Sequence, residues 1–136
     1  MSNRKSVLSK KSPYYIPKHR YYELKHFCLQ YPDWQRQIAC MSYESSVRSF
    51  TLPNHIDTSR PVEEKAMRLA VYYDNCLLVE SCAEQTDFSL SPWIFEGVTR
   101  DRTYEYLSTM LSIPCCRDTY YDRYRKFFWI LDKYRN

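Results

Sequence analysis

One glycine, Gly97, serves all 136 residues. Glycine supplies the positive φ of tight hairpin turns and lets backbone wrap a phosphate. A hairpin-rich sheet is therefore not expected, and the glycine fingerprints of phosphate and dinucleotide loops are absent. Helices joined by polar turns need glycine least, so the chain is expected to be all-α. Apolar residues reach 44%, too many for a compositionally disordered chain. The length suits one domain that buries about 65–70% of the unfolded surface.

Residues 1–13 are basic, serine-rich and without period, the pattern of a flexible basic arm. A single helical domain is expected over 14–136. Pro13 and Pro17 bracket an extended lead-in, and a helix is predicted to start near Lys18. Tyr21, Leu24, Phe27, Cys28 and Tyr31 recur at three-to-four spacing, and Trp34, Ile38 and Met41 continue the stripe. Pro32 interrupts it. Either one kinked helix runs over 18–42, or Pro32 opens a second helix and 14–42 forms a helical hairpin. Residues 43–60 are polar and aperiodic and contain Pro53, so they read as a connection, partly ordered by packing of Phe50 and Leu52.

A long helix is predicted over 61–86. Pro61 with Glu63 and Glu64 matches a helix start and its dipole. Val62, Ala66, Leu69, Tyr73, Cys76 and Leu77 form its expected core-facing stripe, with Glu64, Arg68, Asp74 and Asn75 opposite. Ser91 reads as the cap of a short helix over Pro92–Glu96, closed by Gly97 and Thr99. Next comes TYEYLSTML, with Tyr104, Leu107, Met110 and Leu111 on one side, then a turn blocked by Pro114. The last helix should run from about Cys116 to Tyr134, with Tyr120, Tyr124, Phe127 and Leu131 inward. The sum is a compact bundle of about five to six helices.

Charge is uneven. Residues 1–25 hold seven Lys/Arg against one Glu, residues 26–99 five against ten acids, and residues 100–136 eight against five. Basic ends around an acidic middle are common in chains that meet nucleic acid, and equally in chains with ordinary solvated lysines. There is no apolar run of about 20 residues to span a bilayer, and MSNRKSVLSKKS has no apolar signal-peptide core, so a cytoplasmic location is expected.

Residues 91–135 carry the functional expectation. A short helix, a rigid turn and a longer basic helix are the parts of a helix-turn-helix. Leu107, Leu111 and Ile113 would pack under the turn and leave the front of the last helix for a major groove. That front holds Arg117, Asp118, Tyr121 and Arg125, flanked by Arg123 and Lys126. Arginine can donate two bonds to a guanine edge. Backbone amides at the helix start, with Thr119 and the arginines, can hold phosphates. Arg117 can equally pair with Asp118 or Asp122, and the helix can simply be the last of a bundle.

The pattern TYEYL…LSIPCCRDTYYDRYRKFFWIL resembles the C-terminal helix-turn-helix of small bacteriophage regulators. These include late-gene activators of the RinA and ArpU type, which share a sigma-factor region-four-like module. The segment YYIPKHRYYELKHFCLQYPDW resembles a group of phage and prophage proteins of Clostridia-like bacteria. The resemblance implies a phage-encoded, sequence-specific DNA-binding transcription regulator in a bacterial host cell. It implies double-stranded DNA as partner, possible contact with host RNA polymerase, and a possible homodimer. The interval from Ile113 to Thr119 is longer than in the commonest helix-turn-helix, with Pro114 and two cysteines where a serine-type cap is usual.

No enzyme is expected. His19, His26 and His55 lack companions at ligand spacing, and no nucleophile elbow, zinc-protease helix or acidic metal cluster is visible. Cys28, Cys40, Cys76, Cys82, Cys115 and Cys116 contain no C-x-x-C pair and suit small reduced hydrophobes. Neither metal nor cofactor is implied. The second expected function is of another class: a phage anti-defence or host-takeover protein, such as an anti-CRISPR inhibitor. Its acidic middle and surplus aromatics would grip a host defence protein or its nucleic-acid channel.

Overall fold

The computed structural model describes the backbone of residues 11–51 and 60–135 and the side chains of 11–43 and 61–135. Among these residues there are six α-helices and no strand. They are α1 (Lys18–Leu29), α2 (Tyr31–Thr51), α3 (Arg60–Thr86), α4 (Ser91–Arg100), α5 (Tyr104–Leu111) and α6 (Arg117–Tyr134). The fold is all-α. Where one domain is expected over 14–136, the chain divides into two compact units, Met1–Gln30 with Leu78–Asn136, and Tyr31–Leu77. The basic arm expected over 1–13 lies outside the described residues apart from 11–13, and so does the packing expected of Phe50 and Leu52.

Pro32 opens a helix and does not kink one. The N–H of Gln30 returns to the carbonyls of Phe27 and Cys28, which closes α1, and Pro32 falls in the first turn of α2, where no partner for its missing N–H is needed. The connection expected over 43–60 does not begin at residue 43. Helix α2 continues to Thr51, because YESSVRSFT contains no glycine or proline, and polarity alone does not end a helix.

The larger unit is built on α6. Its inner stripe, Tyr120, Tyr124, Phe127 and Leu131, is buried as expected, joined by Phe128 and Ile130. Helices α1 and α4 both pack on α6 and on each other, and α5 packs on α4. Leu24, Phe27 and Cys28 of α1, Ile94 and Val98 of α4 and Leu107 of α5 are buried there. Each of the buried Leu, Ile, Val and Phe side chains contributes about 1.5–3 kcal/mol. Tyr21 meets Phe128 edge-on at 5.3 Å, and its hydroxyl lies 2.9 Å from that of Tyr124, which satisfies two buried polar groups at once. Arg20 fastens α1 to the end of α6 through Asp132 at 2.6 Å and through the carbonyl of Arg135.

Helix α4 differs from the expectation at both of its ends. Leu90 is the cap, and Ser91 is the first helical residue, its hydroxyl turned back to the carbonyl of Phe88. Gly97 and Thr99 do not close the helix. It runs to Arg100, and the left-handed residue that ends it is Asp101, at φ 55°. Gly97 sits mid-helix because Tyr120 crosses there: a Cβ at this position would lie 2.0 Å from the Tyr120 hydroxyl.

In the smaller unit Trp34, Ile38 and Met41 of α2 and Cys76 of α3 are buried, and Gln35 Nε2 donates to Cys76 Sγ at 3.4 Å. Here the expected inward stripe of α3 is overturned. Cys76 alone of that stripe is buried and Leu69 is half-buried, while Val62, Ala66, Tyr73 and Leu77 face out. Farther along, Cys76, Val79, Cys82, Ala83 and Thr86 form the buried line. Apolar residues occupy more of the circumference of α3 than its neighbours can cover, and periodicity cannot say which stripe wins.

No disulfide joins the six cysteines. Burial raises the Cys28 thiol far above its ordinary range and pushes Cys82 up to about 11. Cys116 is exposed, and the hydroxyl and N–H of Thr119 hold its thiol below the usual range. Iodoacetamide should therefore reach Cys40 and Cys116 first, Cys115 slowly, and Cys28, Cys76 and Cys82 only on unfolding. Peptide mass spectrometry with and without urea reads this order. Native labelling of Cys28 as fast as Cys116 contradicts the packing.

Candidate functional site

Helix α5 begins at Thr103, whose hydroxyl accepts from the N–H of Tyr106 at 3.2 Å. It ends at Ser112, left-handed at φ 53°, and the N–H groups of Ser112 and Ile113 both return to the carbonyl of Leu107. Pro114 then blocks further helix, and α6 starts at Arg117 behind the extended Cys116. Three bonds hold this corner. Trp93 Nε1 donates to the carbonyl of Leu111 at 2.8 Å, Tyr104 Oη donates to the carbonyl of Cys115 at 2.6 Å, and the N–H of Tyr104 donates to Tyr121 Oη at 3.3 Å. Leu107 and Ile113 pack beneath the turn as expected, whereas Leu111 is exposed, its carbonyl rather than its side chain making the contact.

The structure brings the six expected nucleic-acid residues to one end of one helix but turns most of them onto the protein itself. Arg117 pairs with Glu105, and its guanidinium lies 5.7 Å above the Tyr121 ring. Thr119 is half-buried against Cys116 Sγ at 3.2 Å. Tyr121 packs edge-on against Tyr120 at 5.0 Å and Tyr124 at 5.9 Å, and its hydroxyl accepts the Tyr104 N–H. Arg123 donates to Asp87 at 3.0 Å and to Asp122. The Arg125 side chain is only 19% exposed, with Asp122 at 3.8 Å. Lys126 is half-buried. Over residues 117–132 the one exposed position is Asp118.

The Asp87–Arg123 pair is the strongest of these contacts. Burial opposes ionisation of Asp87, but the Arg123 hydrogen bond and the N–H groups of Leu90 and Ser89 outweigh it and hold the carboxyl below its usual range. Moving Arg123 to a phosphate would leave that carboxylate half-buried and unmatched. The Arg117–Glu105 pair is exposed and worth only about 0–1 kcal/mol, so it can exchange. Of the three arginines, Arg123 is held on two carboxylates, and Arg117 is the one in an exposed, exchangeable pair.

A different surface stands open. Over residues 61–77 helix α3 turns Val62, Ala66, Met67, Ala70, Val71, Tyr73 and Leu77 outward. Met67 is 68% exposed, Leu77 60% and Val71 53%. Scattered exposed apolar residues are ordinary, but these follow three-to-four spacing along about 24 Å of one helix. Their signal in the sequence is the second apolar set, Met67, Ala70 and Val71, beside the stripe taken as core.

Among the described residues, no three His, Cys, Asp or Glu side chains could together hold a metal ion, and no helix is long and apolar enough to cross a membrane. No family model matches the chain, and neither a curated protein nor a solved structure matches it.

Proposed function

We propose that this protein works by binding another protein through the outward face of α3, the second of the two functions expected from its sequence. The observation that carries this is the set of exposed apolar side chains Val62, Met67, Val71, Tyr73 and Leu77 along one helix. A helix with such a face is stabilised when a partner removes that area from water, at about 25 cal/mol per Å².

Duplex binding by α5 and α6 is the second reading, favoured by one observation: Arg117 stands at the amino end of α6 in an exchangeable pair. One pair of experiments separates them. A photo-crosslinking residue at Val71, introduced into the full chain in bacterial cells, should give a discrete protein adduct, and one at Asp118 should not. Mixed duplex DNA titrated at low and moderate salt should show weak binding that Arg117→Glu leaves within about twofold. Tight duplex binding with a steep salt slope, lost in Arg117→Glu, would reverse the order of the two.

A further inference from the structure

We infer that the outward face of α3 takes an amphipathic helix whose flanks are positively charged; this rests on the protein-binding function proposed above and names its partner's chemistry. Glu63, Met67, Ala70, Asp74 and Leu77 lie at spacings of four, three, four and three, so they form one straight line on the helix. The two carboxylates therefore stand within the apolar face, not behind it. Both are exposed, and each has apolar neighbours along the line. At about 100° per residue, Lys65 and Arg68 fall about 140–160° around the helix from Ala70, on its far side. Over residues 61–77 this line is apolar and acidic, and one base, Arg60, continues it three positions before Glu63.

Charge decides among occupants. An uncharged apolar surface laid over this line would strip water from Glu63 and Asp74 and leave both unmatched, which is costly. A second copy of the chain would bring the same two acids with Arg60 as the one base on the line, so acids stay in excess across the pair in either direction. A helix carrying Lys or Arg about eleven residues apart, flanking its own apolar ridge, covers the apolar residues and matches both acids. Ala66 and Ala70 shorten the surface at the middle of the run, so a partner helix can approach to the usual 8–10 Å between axes. The acid excess of the whole middle of the chain, ten against five over residues 26–99, would also draw in a basic partner from a distance.

Three synthetic helical peptides of about 18 residues, enough to span the face, make the test. They share one leucine stripe and carry lysine, glutamine or glutamate on the flanks. Fluorescence anisotropy with the full chain should show the lysine peptide binding ~10-fold tighter than the glutamine peptide, with a preference that shrinks as salt rises. The glutamate peptide should be weakest. Glu63→Gln with Asp74→Asn should erase the lysine preference while glutamine-peptide binding stays, and Leu77→Asp should weaken all three. These positions are exposed, and circular dichroism checks that each variant keeps its helix content.

Equal affinity for the three peptides, with Leu77→Asp still blocking them, overturns the charge inference and leaves the protein-binding function intact. Concentration-dependent dimers in the ultracentrifuge that Leu77→Asp dissolves and the lysine peptide cannot displace overturn it in favour of a second copy. No peptide binding, together with a Val71 photo-crosslink in cells that Leu77→Asp does not change, removes the proposed function as well.

Discussion

Alanine at position 97 is expected to destabilise the protein by about 1–3 kcal/mol, although alanine is the best helix former. In an exposed helix interior the same change would stabilise by about 1 kcal/mol. Here the new methyl would stand 2.0 Å from the Tyr120 hydroxyl and 3.2 Å from the ring carbon bearing it, with the carbonyl of Arg102 at 3.7 Å. Tyr120 is fully buried and has rings of Tyr104, Tyr121 and Tyr124 around it at 6.1, 5.0 and 6.1 Å. It cannot step aside without moving the tyrosine cluster that joins α4, α5 and α6.

The same geometry predicts its own rescue. The Tyr120 hydroxyl is buried and meets no hydrogen-bond partner among the described residues. Tyr120→Phe should therefore be neutral or stabilising by up to about 1 kcal/mol. In that background Gly97→Ala loses its worst contact, so a double-mutant cycle from urea unfolding should give a coupling above ~1 kcal/mol. Additive effects, or a stabilising Gly97→Ala in the parent chain, would show that α4 and α6 do not meet at this distance.

The second large effect is expected at high pH. Tyr120, Tyr124 and Cys28 are buried, and burial is the first cause that raises all three; Cys82 is pushed up to about 11 for the same reason. In the unfolded chain a thiol ionises near about 8.5 and a tyrosine near about 10. Below those values both states hold their protons and stability is unaffected. Above them the unfolded chain releases protons that the folded chain keeps, so stability falls as pH rises. Each group contributes about 1.4 kcal/mol per pH unit within its window. Two thiols and two tyrosines together then remove several kcal/mol by about pH 11, against a typical domain stability of about 5–15 kcal/mol. Urea midpoints should hold to about pH 8.5, then drop steeply. Cys28→Ala with Cys82→Ala should delay the drop even if it lowers the plateau. A flat profile to pH 10.5 would mean that these groups ionise in place.

The helical class was legible from a single glycine, because a chain with one residue free to take positive φ at no cost has few ways to turn a hairpin. The inward line Tyr120–Tyr124–Phe127–Leu131 was legible too, since it is the one strong stripe of α6. The break at Pro32 followed from a missing N–H. The long reach of α2 was harder to see: polar residues without a breaker look like loop in composition and helix in geometry.

The candidate site divides along the same boundary. The parts of the corner, Thr103, Pro114 and the arginine row, could be read locally. Nothing local shows that Asp87, 36 residues before Arg123, holds that guanidinium, or that Glu105 holds Arg117. Gly97 reads as a terminator until Tyr120, 23 positions on, is seen across it. Spacing along a helix relates residues a few positions apart and so names its stripes. Which stripe is covered, and which charge is spent on a neighbour, depends on side chains delivered from distant segments, and these meet only when the helices pack.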